Sequence, residues 1–153
     1  MGHARPPEDA PFPPSGAARN AREASASELP LAYACSGCSS AAQLANHLAV
    51  RLDRGGEVEM SCIAGVGGGV KALVRTAQRA AETGRPILAI DGCPLACVRA
   101  CLARVGVTAS AELRLHEHGV RKVQHGDFDP AQAEILLAHC RDLIRPRAAG
   151  DPA

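Results

Sequence analysis

Five of the seven cysteines in this chain stand at or just beyond the ends of three short apolar runs. Cys35 follows Leu31–Ala34, Cys62 falls near the end of residues 57–63, and Cys93 follows residues 86–90. Local spacing adds two more thiols, because Cys38 lies three residues after Cys35 and Cys97 four after Cys93. Thiols in this number suit a soft cation. Zinc takes about four ligands in a tetrahedron with sulfur near ~2.3 Å, and four cysteines hold an iron–sulfur cluster equally well. A Cys-x-x-Cys turn can grip one ion from both sides. If Cys93 caps a helix, Cys97 faces the same way one turn on.

Each candidate also has a plainer explanation. A buried free cysteine is often a small hydrophobe, which is the reading for Cys140 on the last helix. Cys101 lies eight residues past Cys93, roughly 12 Å along a helix axis, and reads as packing. Cys62 fits a ligand by position but lacks a local partner. Asp91 can orient a thiolate site as a supporting hydrogen-bonding group or simply make an Asp-Gly turn. The glycine-rich stretch Gly65, Gly67, Gly68 and Gly69 is expected to be a loop opening a helix, where backbone amides can cradle an anion. It lacks both the Walker spacing and a dinucleotide fingerprint, and close backbone approach explains the glycines as well. His116 and His118 alternate on an expected strand, His125 follows shortly after, and His47 and His139 fall on helices. None lies near the five clustered cysteines in the chain, and His139 adjoins only Cys140, so Cys-His hydrolytic chemistry has little support.

The elements that must position these thiols alternate strand and helix. Leu31–Ala34 is a short apolar strand. Residues 41–53 repeat Leu44, Leu48 and Leu52 four apart, a helical stripe with Ser39 or Ser40 as N-cap. Residues 57–63 read as a second strand and residues 70–83 as a second helix, stopped by Gly84. Residues 86–90 are apolar without alternation, as in a strand covered on both faces. Pro94 is expected to open a third helix running to about residue 105. Residues 112–116 read as a fourth strand at an edge, and Asp129 or Pro130 opens a last helix to about residue 144. The pattern predicts a three-layer α/β fold, a mostly parallel sheet of about four strands with helices on both faces. In a parallel sheet the ends that carry Cys35, Cys62 and Cys93 share one edge, the edge where such proteins bind ligands.

Composition narrows the function classes. The chain has 153 residues, enough for one domain. Residues 1–29 hold five prolines among Gly, Ala and Ser and read as a disordered tail. Residues 30–144 read as a single cysteine-rich metal-binding domain, and 145–153 as a flexible C-terminal tail. Aromatics make up 2% of the chain and the formal charge is +1, so a nucleic-acid partner is not expected. No run approaches a membrane span of about 20 apolar residues, and no signal peptide is legible at the start. The expected compartment is the cytoplasm, where reduced thiols point to metal or redox chemistry.

The strings Cys35-Ser36-Gly37-Cys38-Ser39, Ser61-Cys62-Ile63-Ala64-Gly65-Val66-Gly67 and Asp91-Gly92-Cys93-Pro94-Leu95-Ala96-Cys97 resemble the DGC domain, a bacterial and archaeal family regarded as zinc-binding. The similarity runs from about residue 31 to 144 and includes Asp127-Phe128-Asp129-Pro130. The resemblance implies zinc held by Cys35, Cys38, Cys93 and Cys97, with Cys62 as a fifth candidate. It does not extend to Cys101, Cys140 or the proline-rich start. Three readings follow: a zinc protein with a structural, sensing or metal-handling role; an iron–sulfur or dithiol redox protein; and a thiol- or metal-dependent enzyme.

Overall fold

A computed structural model describes residues 29–145. The proline-rich segment 1–28 and residues 146–153, expected above to be tails, lie outside the described residues. Within them the chain forms β1 (Leu31–Ala34), α1 (Ser40–Arg54), β2 (Glu59–Met60), α2 (Ile63–Gly67), α3 (Lys71–Glu82), β3 (Ile87–Asp91), α4 (Cys97–Arg104), β4 (Ala111–Arg114), a 3-10 turn (Leu115–His118) and α5 (Pro130–Ile144). The four strands pair in the order β2-β1-β3-β4, all parallel. This is the α/β architecture that the alternation of elements predicts.

The order of the strands decides where the helices go. The chain leaves β1 for β2 on one side, then crosses back over β1 to β3 and continues outward to β4. Right-handed crossovers in opposite directions put their helices on opposite faces. Accordingly α1 and α5 pack together over one face, while α2, α3 and α4 form the layer on the other. The core-facing side of α1 carries Ala41, Leu44, Ala45, Leu48, Ala49 and Leu52, each fully buried. Leu31, Ile87, Leu88 and Ile90 supply the middle of the sheet, and Tyr33 is the one fully buried aromatic among the described residues.

Several local expectations change. The second strand is two residues long rather than seven, because after the Ser61 amide bonds Ala32 the chain turns into α2. Residues 65–69 are not an open loop: Gly65 and Gly67 lie inside α2, and the amides of Gly68 and Gly69 donate to Ala64 and Val66 carbonyls. Helix α4 starts at Cys97, not Pro94; residues 92–96 form a turn ending at Ala96 in the left-handed region at φ +49°. Cys93 therefore does not cap the helix, and Cys97 is its first residue rather than its second turn. His116 and His118 belong to the 3-10 turn rather than to an alternating strand.

Candidate functional site

Strand β1 leads leftward to β2 and strand β3 rightward to β4, so the crevice between the C-terminal ends of β1 and β3 is the switch point of the sheet. In open parallel sheets ligands bind there, because the loops from two neighbouring strands part in opposite directions. Cys35 ends one of these strands, and the Asp91-Gly92-Cys93 turn ends the other.

The two sides are joined directly. The Gly92 amide donates to Cys35 Sγ at 3.1 Å. That approach requires glycine: a Cβ at position 92 would sit 2.5 Å from the Ala41 carbonyl oxygen in the first turn of α1. Burial pushes the Cys35 thiol up, the Gly92 amide pulls it down, and the nearby Asp91, Cys97 and Cys93 raise it further. Cys35 thus lies within electrostatic reach of both cysteines of the second strand end. It is buried, Cys93 is half-buried, and Cys38 and Cys97 are exposed.

Asp91 shares the Cys35 face of the sheet, as the pairing Ala34↔Ile90 and strand alternation require. Its carboxylate is buried and both oxygens are engaged: Oδ1 accepts from the Val98 amide at 2.9 Å and Oδ2 from the Arg99 amide at 3.2 Å. It therefore does the work of a helix cap for α4, where Ala96 at the cap position has no side chain to offer. The same bonds set the place of Cys97. Because its oxygens are occupied, the donors left at the switch point are thiols, a set that fits a soft ion and not a hard one.

The other cysteines are placed by packing. Cys62 caps α2 at the edge next to β1, with its side chain exposed and no cap hydrogen bond. Cys101 lies one turn beyond Cys97, and a Cβ on Gly67 would come within 2.6 Å of its Sγ. Gly65 is equally constrained, since a Cβ there would meet Leu73 Cδ1 at 2.1 Å. These glycines let α2 lie flat against α3 and α4. Cys140 is fully buried in α5, and burial pushes its thiol up to about 12. Among the described residues, no three His, Cys, Asp or Glu side chains converge as a metal-binding group. Three of the histidines make ring contacts, His118 with His139 and His47 with Phe128.

Sequence reasoning missed two features. The Gly92 amide has no side-chain signal, and its partner is 57 residues distant. Ser40 is the other: its hydroxyl donates to the Arg121 carbonyl at 3.1 Å and accepts from the Val123 amide at 3.0 Å, strapping the loop after the 3-10 turn onto the start of α1.

A short parallel sheet with thiols on both sides of its switch point defines a small α/β protein built around cysteines. The DGC domain model matches residues 31–140, and the chain belongs to that family. It is 56% identical over 118 residues to the "Anaerobic and virulence modulator AnvM" of Pseudomonas aeruginosa (strain PAO1), covering 77% of this chain and 87% of that protein. No solved structure matches it. Among the described residues no helix is long and apolar enough to cross a membrane.

Proposed function

We propose that this protein is a metal-binding regulator in which Cys35, Cys38, Cys93 and Cys97 hold one zinc ion, with Cys62 as an alternative ligand. The observation that carries the reading is the bridge across the switch point, where Gly92 donates to Cys35 within electrostatic reach of Cys93 and Cys97. An amide aimed at sulfur favours the thiolate, the form that binds metal. Burial and the neighbouring acid and thiols oppose it, so without a cation Cys35 keeps its proton, and binding releases protons. Zinc supplies charge neutralisation for the thiolates and a link between the two strand ends. Cys38 and Cys97, both exposed, are the thiols free to reorient toward it. The reading keeps the chain in the cytosol, where its thiols stay reduced.

A second reading puts an iron–sulfur cluster or an exchangeable dithiol on the same cysteines. What favours it is the name of the Pseudomonas relative, which links that protein to anaerobic life, where an oxygen-labile cluster would report oxygen directly.

Anaerobic purification followed by elemental analysis and a visible spectrum separates the two. About one zinc per chain with no visible absorption supports the first reading; iron with sulfide and a broad visible band supports the cluster; protein without bound metal, and unable to take up either, defeats zinc and cluster alike and leaves only the dithiol. Cys93→Ser is expected to lose the metal while Cys101→Ser keeps it, and equal losses would remove the ligand assignment.

A further inference from the structure

The formal charge of +1 hides a strong segregation of charge. Across α2, α3 and α4 the single acid is Glu82, whereas Lys71, Arg75, Arg79, Arg99 and Arg104 are all exposed. Among the described residues none of these five cations has an ion-pair partner. Lys71, Arg75 and Arg79 recur four apart, which stacks like charges on one side of α3. Such i,i+4 repulsions disfavour a helix, and no ion pair among the described residues offsets them. The Gln78 side chain donates to the Val105 carbonyl at 3.1 Å, which ties α3 to the end of α4 and joins the two basic helices into one surface.

Two large aliphatic side chains stand in the same layer. Leu95 is 70% exposed in the turn before α4, and Val70 is 51% exposed at the cap of α3. Aliphatic groups among unpaired charges match the composition of a protein interface, an apolar centre with a polar rim. They do not match a nucleic-acid surface, which reads phosphates with cations and stacks bases on aromatics. Of the aromatics among the described residues, Tyr33 is buried and Phe128 belongs to the opposite side of the sheet, against His47 of α1. The lack of an exposed aromatic on the basic face also removes the usual anchor to a bilayer interface.

We propose that the outer surface of α2, α3 and α4 docks a partner protein through an acidic, partly apolar surface. Docking there places the partner beside Cys62 and Cys97, the exposed thiols that begin α2 and α4. The proposal does not depend on metal binding.

The test is a nuclear magnetic resonance titration of the full chain, uniformly labelled with nitrogen-15, using a synthetic amphipathic peptide with Glu four apart and a Leu stripe. Duplex DNA and phosphatidylglycerol vesicles are titrated in parallel at the same ionic strength. Shift changes should concentrate on residues 70–79 and 95–104. Affinity for the peptide should fall about tenfold when Lys71→Glu, Arg75→Glu and Arg79→Glu are combined, and several-fold in Leu95→Ser. Thermal unfolding of each variant should match the parent, since all four side chains are exposed. Absent or scattered shifts, or a Leu95→Ser variant that binds as the parent does, would overturn the proposal. Tighter binding of DNA or of vesicles than of the peptide would overturn it equally and assign the surface to that ligand.

Discussion

The two helical layers cover opposite faces of one sheet by different means. The α1 and α5 layer is bound by apolar burial: α1 buries Leu44, Leu48 and Leu52 completely, and α5 adds Leu136, Leu137 and Cys140. Two of its three arginines are paired across elements, Arg51 with Glu134 at 2.9 Å and Arg141 with Glu57 at 2.8 Å. The α2 to α4 layer has short helices, glycines where helices touch, and cations without partners. Within α3 only Ala77 and Ala80 are buried. One layer holds the fold; the other presents thiols and charge to whatever the protein meets. The comparison teaches that stability and function are divided between the faces of the sheet, and that the switch-point bridge from Gly92 to Cys35 lies where they join.

The largest expected break of this contrast is Leu48→Ala, which should cost about 3 kcal/mol in chemical denaturation because the side chain is fully buried. Removing the three cations of α3 together should change stability far less, since exposed substitutions usually shift it by under about 0.5 kcal/mol each. Comparable losses would mean that the division between layers is wrong. Gly92→Ala comes next, at about 2 kcal/mol, because the new Cβ meets backbone that cannot swing away. The same variant should weaken metal uptake by displacing the donor to Cys35, which couples the two layers in one experiment.

A smaller effect sharpens the electrostatic half of the comparison. Arg141 beside Glu57 holds its carboxyl below its ordinary value. A carboxyl lowered by folding stabilises the native state above its ordinary value, and that contribution is lost as pH falls through the lowered value. Glu57→Gln should therefore lower the melting temperature slightly at neutral pH, leave the strongly acid end unchanged, and so flatten the limb between them. The smallest effect on stability should come from mild alkylation of the native protein. In the metal-free protein, mass spectrometry should find Cys38, Cys62 and Cys97 labelled first, while Cys140, buried and raised to about 12, reacts only after denaturation.

Where the chain's own chemistry was strong, the elements could be read directly. Leu31–Ala34, the leucine stripe of α1 and the start of α5 at Asp129 and Pro130 all stand where periodicity and capping put them. The errors fall where long-range contacts outweigh local signals. Pro94 looks like the first residue of a helix, yet the chain turns through Ala96 in a left-handed conformation because the Asp91 carboxylate holds the α4 amides from below. The glycines at 65 and 67 look like an anion loop, but the side chains they accommodate, Leu73 and Cys101, come from other helices.

By itself, the order of residues determined the class of the fold, the family and the identity of the thiols, because hydrophobic period and cysteine spacing are local properties of the chain. Only the tertiary structure decided that β1 and β3 are neighbours with connections leaving in opposite directions. That arrangement turns Cys35 and Cys93, 58 positions apart in the chain, into two sides of one crevice. It also put the cations of α3 and α4 in one layer, since net charge sums over the chain while a field depends on where the charges lie in space.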